Sequence, residues 1–113
     1  METDPNGKNP GEPGAKLDAG KSPVFQGALG YFPRALRAVA EVSAFGASKY
    51  AWKGWESVPD GINRYTDAMG RHLTYEGQGR TIDPDSGYLE AAHTAWNGLA
   101  RLELMLREMD DRN

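Results

Sequence analysis

Glu90-Ala91-Ala92-His93-Thr94-Ala95-Trp96-Asn97-Gly98-Leu99-Ala100-Arg101-Leu102-Glu103-Leu104-Met105-Leu106 is the stretch that decides the fold. Leu89, Ala92, Ala95, Trp96, Leu99, Leu102 and Leu106 recur every three or four residues, which predicts an amphipathic helix over residues 88–109. At 1.5 Å per residue it is about 33 Å long. At about 100° per residue, Glu90, His93, Asn97 and Arg101 fall at roughly 0°, −60°, −20° and +20°, a single polar stripe three turns long. A carboxylate, an imidazole and an amide can reach one point from that stripe. It can equally be the solvated face of the helix, since it lies nearly opposite Leu99 and Leu106.

Upstream, Asp83-Pro84-Asp85-Ser86-Gly87 is turn chemistry, with Ser86 a cap for the helix that follows. Before it, Ser57-Val58-Pro59-Asp60 carries helix-start signals, and Ile62, Tyr65, Met69, His72 and Glu76 follow at helical spacing until Gly77 and Gly79 break it. His72 and Glu76 lie one turn apart, beside Arg71. Further upstream, Pro33 opens a helix bearing Phe32, Leu36, Val39, Val42 and Phe45, which Gly46 is placed to end. Glu41 lies on its polar flank, paired with Arg37 or Arg34 or free to act as a ligand. Residues 47–58 hold Tyr50, Trp52 and Trp55 without a clean period and read as a long aromatic loop. No convincing strand and no repeat is found. The fold class is all-α, a small bundle of three or more helices with antiparallel neighbours.

Residues 1–22 hold seven prolines and glycines and one large apolar residue, Leu17, too little apolar surface to offset the entropy of ordering them. They read as a flexible arm, and residues 23–113 as the helical domain. A domain of that size buries only a little over about 60% of its unfolded surface, so subunit association would relieve a thin core.

The net charge of −3 and the scattered basic residues lack the footprint of a duplex nucleic-acid binder. With no cysteine in the chain, disulfides, thiolate metal sites and cysteine nucleophiles are excluded. Any metal must be held by oxygen and imidazole. No run reaches the roughly 20 apolar residues of a membrane span, and the N-terminus lacks a signal-peptide pattern, so a cytoplasmic location is expected. No Walker loop, dinucleotide fingerprint or nucleophile elbow is present.

Clustered acids repel one another unless a cation stands between them. A hairpin of the last two helices can bring His72 and Glu76 to Glu90 and His93, with Asp83 or Asp85 at the mouth and Glu41 as a third leg. The metal candidates are therefore Glu41, His72, Glu76, Asp83, Glu90 and His93, and the catalytic candidates Glu41, Glu76, Glu90 and His93. Lys49, Arg71 and Asn97 are candidates for binding a substrate's polar groups. Tyr50 and Trp55 can stack on a base, or plug the bundle.

Together, Leu17-Asp18-Ala19-Gly20-Lys21, Phe45-Gly46-Ala47-Ser48-Lys49-Tyr50, Trp55, Arg71-His72-Leu73, Asp83 to Gly87, Ala92-His93 and Trp96-Asn97 resemble the small phage proteins grouped as dATP/dGTP diphosphohydrolase N-terminal-like. That group is similar in outline to the MazG-like all-α nucleotide pyrophosphohydrolases. The resemblance covers about residues 17–105. It implies hydrolysis of a deoxynucleoside triphosphate such as dGTP or dATP to the monophosphate and pyrophosphate, with Mg2+ or Mn2+ held by acids on facing helices. It also implies a homo-oligomer, dimer or tetramer, in the host cytoplasm. The MazG pattern has Glu-x-x-Glu on one helix and Glu-x-x-Asp on the next, with an Asn a turn later. Here Glu90-x-x-His93-x-x-x-Asn97 stands for the second half, and His72-x-x-x-Glu76 is nearest to the first. The chain departs from the group's pattern at Arg80, where a glutamate is expected, and at Glu90, where a histidine is. A non-catalytic helical interaction module acting through its aromatic loop is the alternative. A zinc or iron hydrolase using His72 and His93 is a third reading.

Overall fold

The computed structural model describes residues 2–111. The chain divides into two compact units that meet in sequence at Pro33 and Arg34. In the first, an antiparallel bridge joins Thr3 to Ala19 around a run of turns. Asp4 is buried there, because its carboxylate accepts the backbone N–H groups of Asn6 and Lys8. A single π-helical turn, Phe25–Leu29, follows.

The second unit carries three substantial helices: α1 (Pro33–Lys49), α2 (Gly61–Gly77) and α3 (Glu90–Asp111). The fold is all-α, and among the described residues the only extended pairing is two isolated bridges. α1 begins at Pro33, whose fixed φ suits the first helical position and whose missing N–H would have no partner there. It runs through Gly46, which is not among the residues with positive φ. The helix gains one more turn, stabilised where the Ser48 hydroxyl donates to the Phe45 carbonyl at 2.6 Å. Within the expected aromatic loop, Gly54–Ser57 forms a 3-10 turn pinned to α3 by the Glu56–Arg107 ion pair.

α2 starts at Gly61, four residues later than its first signal. Asp60, left-handed at φ 55, precedes it and accepts from Asn63 Nδ2 at 2.9 Å. Its end follows from Gly79, which at φ +96 takes a backbone conformation that favours glycine. The Gly79 N–H donates to the Glu76 carbonyl and the Arg80 N–H to the Tyr75 carbonyl, the paired closure of a Schellman motif. That closure folds Arg80 back over the last turn of α2.

α2 and α3 are antiparallel, as four contacts along their length require. Gly61 faces Leu104, Thr66 accepts from Arg101, Met69 lies against Gly98, and His72 meets Glu90. Trp55, Tyr65 and Trp96 pack edge to face with ring centroids 5.6–6.2 Å apart, and Tyr65 donates to the Trp55 carbonyl. In this trio Trp55 is packed between the two helices as a plug, while Tyr50 and Trp52 are exposed. Trp96 Nε1 donates to Ser43 Oγ at 2.8 Å, tying α3 to α1.

The polarity of α3 is inverted. Its buried residues are Glu90, Ala92, His93, Asn97 and Ala100, whereas Leu99, Leu102 and Leu106 are about half exposed. The polar stripe is therefore the inward face. Val39, Trp55, Trp96, Leu99, Leu102 and Leu106 line an open cleft of about 360 Å3. No helix among the described residues is long and apolar enough to cross a membrane.

Candidate metal centre at the end of the helical hairpin

Three elements converge at the end of the hairpin where α2 and α3 are joined. The last turns of α2 bring His72, the first turn of α3 brings Glu90 and His93, and the segment joining them brings Arg80, Asp83 and Ser86. The segment is held by its own backbone. Asp83 N–H donates to the Tyr88 carbonyl at 2.8 Å, Gly87 N–H to the Asp83 carbonyl at 2.8 Å, and Glu90 N–H to the Thr81 carbonyl at 2.9 Å. Gly87, at φ 78, makes the reversal. The Asp83 carboxylate accepts the Ser86 N–H at 3.0 Å, a local side-chain-to-backbone bond that fixes its direction.

Glu90 is completely buried. Its Oε1 lies 2.8 Å from His72 Nδ1, and its Oε2 accepts from Arg80 Nε at 2.8 Å. Arg80 also stacks its guanidinium over Tyr75, 3.8 Å from the ring centroid, and lies 3.7 Å from Asp83 Oδ1. His93 Nε2 is 2.6 Å from Ser86 Oγ and 3.4 Å from Asp83 Oδ2. Because serine and aspartate meet the same ring nitrogen, this trio lacks the relay geometry of a serine nucleophile. The His72 and His93 rings stack at 4.6 Å.

The charges follow from these contacts. Burial pushes the Glu90 carboxyl up, but hydrogen bonds from His72 and Arg80 outweigh it and hold the group below the usual glutamate range. Burial likewise opposes ionisation of Asp83, and the Ser86 hydrogen bonds with the two imidazoles bring it below its ordinary value. His93 is pushed down, first by burial and then by the neighbouring His72, against the pull of Asp83 and Glu90.

Among the described residues, His72, Asp83 and Glu90 are the group whose ligand atoms, all within 4.8 Å of one another, can meet on one ion. Two carboxylates and an imidazole are a donor set for a hard or borderline divalent cation. The fit extends outward. Glu90 Oε2 is held by Arg80 and its Oε1 meets His72, while Asp83 Oδ2 is held by Ser86 and His93 and its Oδ1 faces Arg80. Outer partners of this kind orient ligand atoms.

Of the other sequence candidates, His93 is in the cluster as a support for Asp83 rather than as a member of the three-ligand group. Asn97 is buried one turn along α3, its amide donating to the His93 carbonyl at 2.8 Å. Lys49 is at the edge, bridging to Asp85 at 2.8 Å. Glu41, Glu76 and Arg71 are exposed on α1 and α2 and lie outside the three-ligand group, and Tyr50 is exposed. Sequence reasoning gave Ser86 only a capping role and met Arg80 as a departure from the family pattern. The signal for Arg80 was Gly79, which marks a helix end and so turns the next residue back onto the helix.

The family described as dATP/dGTP diphosphohydrolase, N-terminal, matches residues 11–112. A protein of Salmonella phage PMBT28 named dATP/dGTP diphosphohydrolase is 34% identical over 82 residues, which are 73% of this chain and 26% of that protein. The chain thus spans about a quarter of the length of that relative. No solved structure matches the chain. With nearly its whole length matched, cluster included, the chain belongs to the dATP/dGTP diphosphohydrolase N-terminal family.

Proposed function

We propose that the chain takes part in metal-dependent hydrolysis of a purine deoxynucleoside triphosphate, dGTP or dATP, to the monophosphate and pyrophosphate. The observation that carries this reading is the convergence of His72, Asp83 and Glu90 at a buried, hydrogen-bonded centre in a chain of this family. The relative's name supplies the substrate class. His72, Asp83 and Glu90 would hold one Mg2+ or Mn2+. When bound, such an ion offsets phosphate charge and makes water a better nucleophile. Arg80 and Ser86 keep the two carboxylates aimed, and His93 completes the support of Asp83. Lys49, which pairs with Asp85, would exchange that partner for a phosphate.

The inverted helix supports a homo-oligomer. Leu99, Leu102 and Leu106 present a contiguous apolar strip beside the cleft, and a second copy of the chain is the surface expected to cover it.

Purified protein incubated with each dNTP and Mn2+ should release pyrophosphate, with purine nucleotides preferred. No release from any nucleotide at micromolar protein would overturn the enzymatic reading and favour a helical interaction module. For the assembly, light scattering should give a multiple of the 12.4 kDa chain mass. Leu102→Glu should shift it to the monomer.

A further inference from the structure

Arg80 reaches both acids of the cluster. Its Nε is bonded to the buried Glu90 Oε2, an Nη is 3.7 Å from Asp83 Oδ1, and Tyr75 supports the guanidinium plane from below. A guanidinium has five N–H donors in a fixed fork. One is committed to Glu90, and the side chain keeps 37% of its surface in water, so other donors remain open to an incoming anion. The cluster thus carries a permanent positive charge of its own, on a side chain with a long, flexible stem.

We propose that Arg80 is the site's resident cation: it screens Glu90 and Asp83 while no nucleotide is bound and turns to the phosphates when one arrives, so that ion and nucleotide are taken up together. The proposal rests on the cluster being the ion site of the function proposed above. The physical reason is a change of charge balance. A divalent ion entering beside the guanidinium meets a like charge a few ångströms away, which weakens its binding. A polyphosphate offers the guanidinium a stronger, bidentate acceptor. Once Arg80 has shifted, Asp83 and Glu90 lose the one permanent positive charge beside them and their demand for the ion rises. Two ligands that each relieve a cost of binding the other are positively coupled, and the coupling is reciprocal.

The test is Mn2+ affinity, read from the electron paramagnetic resonance of free Mn2+, for the wild type, Arg80→Gln, Arg80→Lys and Asp83→Asn. Each is measured alone and with a dGTP analogue bridged by methylene between the α- and β-phosphates. Arg80→Gln keeps a planar donor for Glu90 and the packing on Tyr75 but not the charge. Without nucleotide it should bind Mn2+ about tenfold or more tightly than the wild type, a coupling of ordinary allosteric size. Arg80→Lys, which keeps the charge and loses the plane, should remain as weak as the wild type; a purely structural role for Arg80 predicts the reverse. The analogue should tighten Mn2+ binding in the wild type far more than in Arg80→Gln. The wild-type pair of measurements tests the coupling even if Arg80→Gln is too unstable to assay. Equal affinities in wild type and Arg80→Gln, with Asp83→Asn abolishing binding, would overturn the role of Arg80 and leave the ion site standing. Absence of Mn2+ binding in the wild type and Arg80→Gln, with and without analogue, would overturn the ion site itself.

Discussion

His72 and His93 lie face to face, their ring centroids 4.6 Å apart and their planes within 15° of parallel. Two imidazoles at that distance do not both carry charge without mutual repulsion, and the buried member, His93, is the one pushed down. Its proton is bound more readily in the unfolded chain, near the ordinary value of 6.5, than in the folded one. Below that pH the unfolded state binds more protons, so stability falls as pH falls. Asp83 and Glu90, both held below their ordinary values, add a loss of the same sign further down, beginning near pH 4.5. In chelator, the melting temperature should therefore drop progressively from pH 7 to pH 4. His93→Gln should flatten the upper part of that curve, and a melting temperature that rises on acidification would refute this account.

Glu90→Gln and Asp83→Asn should each lower pyrophosphate release by on the order of 100-fold or more, because each removes a ligand charge at the centre. Glu90→Ala should also cost about 3 kcal/mol of stability in chemical denaturation. That is the lower end of the range for breaking a buried ion pair, since Arg80 keeps access to water. Glu41→Gln and Glu76→Gln, on exposed positions outside the three-ligand group, should leave both quantities within about twofold and about 0.5 kcal/mol. Equal losses at all four acids would contradict this placement.

Trp55→Ala should destabilise the fold by about 3 kcal/mol, since its ring meets Tyr65 and Trp96 and anchors the 3-10 turn. Trp52→Ala, on an exposed side chain, should change stability by no more than about 0.5 kcal/mol. Urea melts of the two variants side by side make the comparison. A nucleotide-stacking role confined to Trp55 would instead weaken binding and spare stability.

Gly79→Ala should cost about 1 kcal/mol, the usual penalty for a Cβ in left-handed backbone, although a Cβ there meets no neighbouring atom. Because Gly79 steers Arg80 onto Glu90, the same change should lower activity more than its effect on stability accounts for. Activity assayed at a temperature where the variant is fully folded separates the two effects.

Helix existence and order were legible from period and turn chemistry, because Pro33, Asp60 and the glycines after Tyr75 act locally. Gly46 misled for the same local reason. It can end a helix only by turning left-handed, and nothing in its surroundings made it do so. The sequence put His72, Asp83 and Glu90 on one hairpin but did not single them out from Glu41, Glu76 and His93, because the turn-rich connection makes α2 and α3 neighbours without fixing which side chains meet. Which face of α3 points inward was not. Period gives the angle between two stripes but not which of them is covered, and the leucines would normally win that contest. Glu41 and Glu76 show the same limit: one-turn spacing puts a side chain on a helix's flank without saying what the flank adjoins. Arg80 was missed as a counter-charge because the demand for a cation was assigned wholly to an ion.

The inverted α3 overturns the usual rule for tolerated substitutions. Along this helix a swap of Leu99 or Leu106 for a polar residue should leave a single chain folded and more soluble. A conservative-looking Glu90→Leu or Asn97→Leu should instead wreck the centre of the hairpin, so a library designed on hydrophobicity alone would protect the wrong half of the helix.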